Sequence, residues 1–269
     1  MGAGKGKSKR ASGLQAGRSS SQVLTDRPAG TRLEKLEAQA QLGAARSCLA
    51  GLGATLDLFT LMGSHAYGLA HADSDLDYRG VYRLSLAEKL GVHGYKDTIT
   101  LPEGDVVLYE LGKFARMLGQ GNPNVIEVLF VAPEQQSEVG KLIGENKEIF
   151  LSQLVRSTHI GFASSHLRLI EKKKETMTAK KREKLIRHSF RALWQGEELL
   201  KTGAMTVKLT AEQINLVTEL VASDNANVKR EFELVKSRLK MAKTELPAEP
   251  DWTKIDALVL QAYLDLAYM

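Results

Sequence analysis

The chain has 269 residues, 43% of them hydrophobic and 26% charged, which excludes disorder throughout and supplies apolar mass for one large domain or two small ones. No apolar run approaches the roughly 18 residues that span a bilayer and no secretory h-region opens the chain, so a soluble, cytoplasmic protein is expected. Cys48 is the only cysteine, which excludes an intramolecular disulfide and any Cys-cluster metal site.

The formal charge of +5 is unevenly placed. Residues 1–32 hold seven basic groups against Asp26, a net +6, and leave the other 237 residues at −1. This Gly/Ser/Lys/Arg segment is read as a disordered tail, either merely solvating or in nonspecific contact with nucleic-acid phosphates. Gly6-Lys7-Ser8 is not the end of a P-loop, because the first glycine of that pattern falls on Met1 and no strand precedes it.

Apolar residues at helical spacing then predict a helix over 33–49, broken by Gly51 and Gly53. Thr55 to Met62, Asp75 to Tyr82 and Asp105 to Tyr109 read as strands, and Leu111, Phe114, Ala115 and Leu118 mark one face of a helix from about Glu110 to Gln120, stopped at Gly121-Asn122-Pro123. Beyond residue 138 the segments 155–174, 180–201, 211–222, 228–243 and 253–267 all repeat at 3.6 residues. The expectation is an α+β chain: a tail over 1–32, a small mixed-sheet domain over 33–137 and an all-helical domain over 138–269.

The chemistry concentrates at Leu61-Met62-Gly63-Ser64-His65-Ala66-Tyr67-Gly68 and Ser74-Asp75-Leu76-Asp77-Tyr78-Arg79-Gly80. On one strand Asp75 and Asp77 share a face, roughly 6 to 7 Å apart, where their repulsion is about 2 to 3 kcal/mol at an effective dielectric near 20. A hard divalent cation, Mg²⁺ or Mn²⁺, relieves it and suits phosphate chemistry. Gly63 permits close backbone approach, and Ser64 adds a hydroxyl for phosphate. A two-metal site needs a third carboxylate: Asp105 is favoured over Glu110, which alternation turns to the other face at a helix start. A solvated acidic turn is the competing reading. An EF-hand is not, since Tyr78 and Leu84 stand where its Gly and Glu belong.

Gly63-Ser64 followed after ten residues by Asp75-Leu76-Asp77 resembles the signature of the DNA polymerase beta nucleotidyltransferase superfamily. The longer wording, with Leu111-Gly112-Lys113-Phe114 and Gly121-Asn122-Pro123-Asn124-Val125, is similar to the nucleotidyltransferases found beside RNA ligases in RNA-repair gene clusters, over about Leu56 to Leu209. Gly112 departs from the basic or polar residue expected there. In the helical half Lys184-Leu185-Ile186-Arg187-His188-Ser189-Phe190-Arg191 also matches, and Lys184, His188 and Arg191 share one helical face, as binders of anion or as a solvated face.

The resemblance implies transfer of a nucleoside monophosphate from an NTP to an acceptor hydroxyl, on RNA foremost. It implies two Mg²⁺ ions (or Mn²⁺) on Asp75, Asp77 and Asp105, with Gly63, Ser64, Arg79, Lys184, His188 and Arg191 around the nucleotide. AMP transfer to a protein, or noncatalytic binding of nucleotide or RNA, are the alternatives.

Overall fold

A computed structural model describes Met1 and residues 32–71, 74–101 and 105–264. The tail expected over 1–32 lies almost wholly outside the described residues. Helix α1 (Arg32–Ala50) leads into strand β1 (Ala54–Leu61), the short helix α2 (Gly63–Tyr67) and strand β2 (Asp77–Leu84). Helix α3 (Leu86–Leu90), strand β3 (Thr98–Leu101) and strand β4 (Asp105–Glu110) follow, then helices α4 (Leu111–Gly119) and α5 (Pro123–Ile126) and the two-residue strand β5 (Gln135–Gln136). The sheet runs β3-β4-β2-β1-β5. Among the described strands only the β2–β4 pair is parallel; the others are antiparallel, so the sheet is mixed as expected.

Alternation along β1 serves two cores. Leu56, Phe59 and Leu61 join Tyr78, Tyr82, Val106 and Leu108 beneath Ala45 and Leu49 of α1. Leu58 and Val81 face the helices. A register shift between Leu56 and Leu58 accommodates Asp57, which is buried and held by Arg83 at 3.0 Å and the Ser137 hydroxyl at 2.7 Å. Strand β2 begins at Asp77, two residues later than the alternation suggests, so Asp75 lies ahead of it rather than in its pleat. Strands β3 and β5 carry too few residues to show a period.

Helices α6 (Glu138–Glu145), α7 (Leu154–Lys172), α8 (Ala179–Thr202), α9 (Ala211–Ala222), α10 (Asn225–Met241) and α11 (Trp252–Leu264) make the C-terminal region helical. Their ends are chemically marked: Thr178 caps α8, Thr210 and Gln213 form a capping box on α9, and Asp224 caps α10. Helix α8 is the axis of this region, packed along α7 and α10 and lined inward by Leu185, Ile186, Phe190 and Leu193. Helix α11 returns to α4 and α6, and the Ala262 carbonyl accepts from Arg83 at 2.7 Å. One apolar cluster therefore runs from Leu58 to Tyr263, continuous across residue 138. Among the described residues no helix is long and apolar enough to cross a membrane.

Candidate active site

The Gly-Ser turn and the acidic strand ends meet at one end of the central strands β1, β2 and β4. Gly63 opens α2 at φ +63°, a conformation costly for any residue with a Cβ. A Cβ there would also overlap the Asp77 carboxylate. The backbone reinforces the contact, since the Met62 N–H donates to the Asp77 carbonyl at 2.7 Å. Glycine is thus required both by the turn and by the acid beside it.

Asp77 pairs in register with Asp105, each the first residue of its strand, across the parallel β2–β4 ladder. Burial pushes the Asp77 carboxyl up; the Asp105 and Asp75 charges push it further, while Arg79 and Lys184 hold it back. Those influences bring the three predicted carboxylates and two of the predicted cations into one electrostatic neighbourhood. Asp75 and Asp105 are exposed and Asp77 is half-buried, so the site opens to solvent along one side. Ser64 lies next to Gly63 in α2, and its carbonyl accepts from Leu69 at 2.9 Å.

Glu110 stands elsewhere. Opposite Tyr82 in the β2–β4 register, it is five residues along β4 from Asp105, roughly 16 Å at strand rise. It is 1% exposed and caps α4, accepting from Gly112 and Lys113 N–H at 3.0 and 3.2 Å. It also pairs with Lys89 at 2.8 Å and accepts from the Tyr263 hydroxyl. Burial works to raise its carboxyl, but these partners together hold it below the usual range. Gly112, the departure from the family pattern, sits against this carboxylate, where a Cβ would come within 3.2 Å of Oε2.

The three predicted residues of α8 divide by depth. Lys184 is exposed and near enough to Asp77 to lower its carboxyl. Arg191 is 2% exposed: it pairs with Glu127, donates to Gln195 Oε1 at 3.0 Å and lies 4.1 Å over the Tyr67 ring. Its charge is therefore met inside the protein. His188, between them, is held by burial and by Arg191 at a pKa of about 3, so the imidazole is neutral. Arg191 Nη2 lies 3.2 Å from His188 Nδ1; since Arg only donates, Nδ1 accepts and the proton sits on Nε2.

Sequence reasoning missed the buried polar set that supports the site. The Tyr67 hydroxyl, from the last residue of α2, donates to Glu127 Oε1 at 2.7 Å, tying the Gly-Ser turn to Arg191 on α8. Burial raises both the Tyr67 phenol and the Glu127 carboxyl. His166 packs edge-on to His188, with ring centroids 6.2 Å apart, and burial lowers its pKa as well. Tyr67 falls inside the Gly-Ser segment and Glu127 just after Asn122-Pro123-Asn124, but nothing in their local spacing announces a long-range pair.

A family model described as the RNA repair pathway DNA polymerase beta family, RlaP, matches residues 31–262. The chain belongs to this family. Membership makes it a polymerase beta-type nucleotidyltransferase homologue associated with RNA repair. Compared with proteins of curated function, the RlaP chain has no match.

The family implies metal ions, and the chain's donors can be tested for them. Among the described residues no three His, Cys, Asp or Glu side chains converge closely enough to hold an ion by themselves. Asp77 and Asp105, however, offer oxygen donors only, at neighbouring strand positions, in a locality whose anionic excess already raises Asp77. Mg²⁺ is commonly held by one or two carboxylates completed by substrate phosphates and water. The donor set fits an ion that binds together with a nucleotide.

Proposed function

We propose that this RlaP protein transfers a nucleoside monophosphate from an NTP to a hydroxyl on RNA and releases pyrophosphate. The observation that carries this reading is the register pairing of Asp77 with Asp105 directly against Gly63 of the Gly-Ser turn. Asp77 and Asp105, with Asp75 beside them, would hold Mg²⁺. When bound, such ions would supply charge neutralisation for the departing pyrophosphate and a lowered pKa for the attacking hydroxyl.

The protein's own groups do the positioning. Gly63 and Ser64 hold the β- and γ-phosphates against the start of α2, and Gly63 lets the chain approach without a side chain in the way. Lys184 faces the triphosphate from α8 as a mobile point charge. His188 offers a neutral N–H from Nε2 on the same helical face. The Arg79 charge works against the burial that raises the Asp77 and Glu127 carboxyls. Asp105, the more exposed of the register pair, takes the proton of the acceptor hydroxyl as its oxygen bonds to the α-phosphorus and the bond from that phosphorus to the pyrophosphate oxygen breaks. Arg191, Glu127 and Tyr67 act behind these groups by fixing α2 against α8. An RNA acceptor and a lone cysteine both suit the cytoplasm.

Incubation with each α-labelled NTP, Mg²⁺ or Mn²⁺, and RNA or total protein tests the reading. Label in RNA supports it. Label in protein moves the acceptor class, and metal-dependent binding without turnover makes the chain a nucleotide binder.

A further inference from the structure

The acceptor must be held as well as the nucleotide, and most of the folded chain repels a polyanion. Within 33–269, residues 168–184 carry eight basic and three acidic groups, a net +5, so the other 220 residues sum to −6. The positive segment is the end of α7, the turn that follows and the start of α8.

Lys172, Lys173, Lys174, Lys180 and Lys181 are all exposed there, and among the described residues none of them joins a salt bridge. Two of the three acids in the segment are engaged by cations outside this set: Glu171 by Lys229 at 3.4 Å and Glu183 by Arg187 at 2.7 Å. Only Glu175 is left among the five lysines, so the turn presents a clear positive excess to solvent. Their mount is fixed, because Arg182 donates to the Val221 and Ser223 carbonyls at 2.8 and 2.9 Å and to Asn225 Oδ1 at 3.0 Å, binding the turn to the α9–α10 junction. A recess of about 280 Å³ opens beside them, lined by Lys174, Arg182, Ile170 and Met177 and, from the α9–α10 side, by Asp224.

The turn adjoins the acidic end of the sheet. Lys180 lies one helical turn before Lys184, about 6 Å along the axis, and Lys184 lies one turn before His188, whose ring meets Tyr67 of α2 edge-on at 6.4 Å, with Gly63 at the other end of α2 against Asp77. We infer that the α7–α8 turn is the docking surface for the phosphate backbone of the RNA acceptor, which runs over the five lysines and delivers its end to Asp77 and Asp105. The inference rests on the proposed nucleotidyl transfer for its direction, while the binding itself needs no turnover. Lysines without an aromatic or arginine platform recognise phosphates as point charges and carry no base specificity. The segment also exposes no large apolar side chain, which a membrane-inserting surface would need.

The test uses the full chain and a fluorescein-labelled single-stranded RNA, followed by anisotropy without nucleotide across KCl concentrations. The variant is Lys172→Ala, Lys173→Ala, Lys174→Ala, Lys180→Ala and Lys181→Ala together; its folding is checked by helical circular dichroism and by unaltered NTP affinity. Each lost phosphate contact lowers the log–log salt slope by about 0.7, so the variant is expected to bind at least ~10-fold more weakly at low salt with a slope shallower by about 2 to 3. Unchanged affinity and slope overturn the inference. Equal lysine-dependent binding to phosphatidylserine vesicles overturns the assignment to RNA. A full chain that binds RNA through these lysines yet transfers no nucleotide defeats the enzymatic reading alone.

Discussion

Asp77 and Asp105 face each other at the first register position of the parallel β2–β4 pair, with the Asp77 carboxylate packed against Gly63. Two acids so placed repel unless a cation joins them, which makes their removal informative for activity and stability separately. Asp77→Asn and Asp105→Asn are each expected to lower transfer by at least ~10³-fold, a loss of about 4 kcal/mol of transition-state stabilisation. Asp77→Asn should raise stability at neutral pH, because the burial and like-charge repulsion that push its carboxyl up are both relieved. Pyrophosphate release and urea denaturation measure the two effects. Retained turnover in either variant ends the metal-site reading.

Glu110→Gln should do the reverse. The side chain caps α4 and pairs with Lys89 and Tyr263, far along the strand from Asp105. A loss of about 1 to 3 kcal/mol in unfolding free energy is expected from the weakened cap and the broken pair, with turnover per folded molecule preserved. Loss of turnover without loss of stability would place Glu110 in the chemistry.

Gly63→Ala combines a disfavoured φ with overlap on the Asp77 carboxylate. Its expected stability cost is about 1 to 3 kcal/mol. Transfer should fall further than stability accounts for, because Asp77 is displaced. A variant with full activity would show that Asp77 need not sit against this glycine.

Lys184→Ala and Arg191→Ala lie on one helical face and should separate cleanly. Lys184 is exposed, so its loss leaves unfolding unchanged and raises the KM for NTP. Removing Arg191 leaves Glu127 buried without its cation, an expected cost of about 3 to 5 kcal/mol. Thermal denaturation beside NTP titration distinguishes them. If Arg191→Ala is stable and only nucleotide binding suffers, the buried pair is not what Arg191 is for.

Stability should fall on acidification. His188 and His159 are held at pKa values of about 3, chiefly by burial, against an ordinary 6.5. Below pH 6.5 the unfolded chain takes up protons that the folded chain refuses, so each histidine costs about 1.4 kcal/mol per pH unit between roughly pH 6 and 3. Asp77 acts in the opposite sense: its folded pKa is raised, so its contribution grows as pH falls towards its ordinary value. Urea midpoints at pH 7, 6 and 5 measure the net effect, and His188→Gln should remove about one histidine's share of the slope. Equal midpoints at pH 7 and 5 would show that these imidazoles titrate normally when folded.

Local periodicity was sufficient for much of the molecule. The helices at 32–50, 154–172, 179–202 and 211–222 fall within two residues of their apolar repeats, because one buried stripe per helix is written into consecutive turns. The family was equally legible in the one-dimensional spacing, which also named Gly63, Ser64, Asp75, Asp77 and Asp105 as candidates. What chain order cannot carry is pairing at a distance. Asp77 meets Asp105 only because β4 returns parallel to β2 through the intervening α3 and β3. Glu110, which the sequence left as an alternative to Asp105, is committed to a cap by Lys89 and by Tyr263, 153 residues away. Lys184 and Arg191 look alike on a helical wheel, yet one reaches solvent and the other meets Glu127, because a helix's depth is set by its neighbours rather than by its own period.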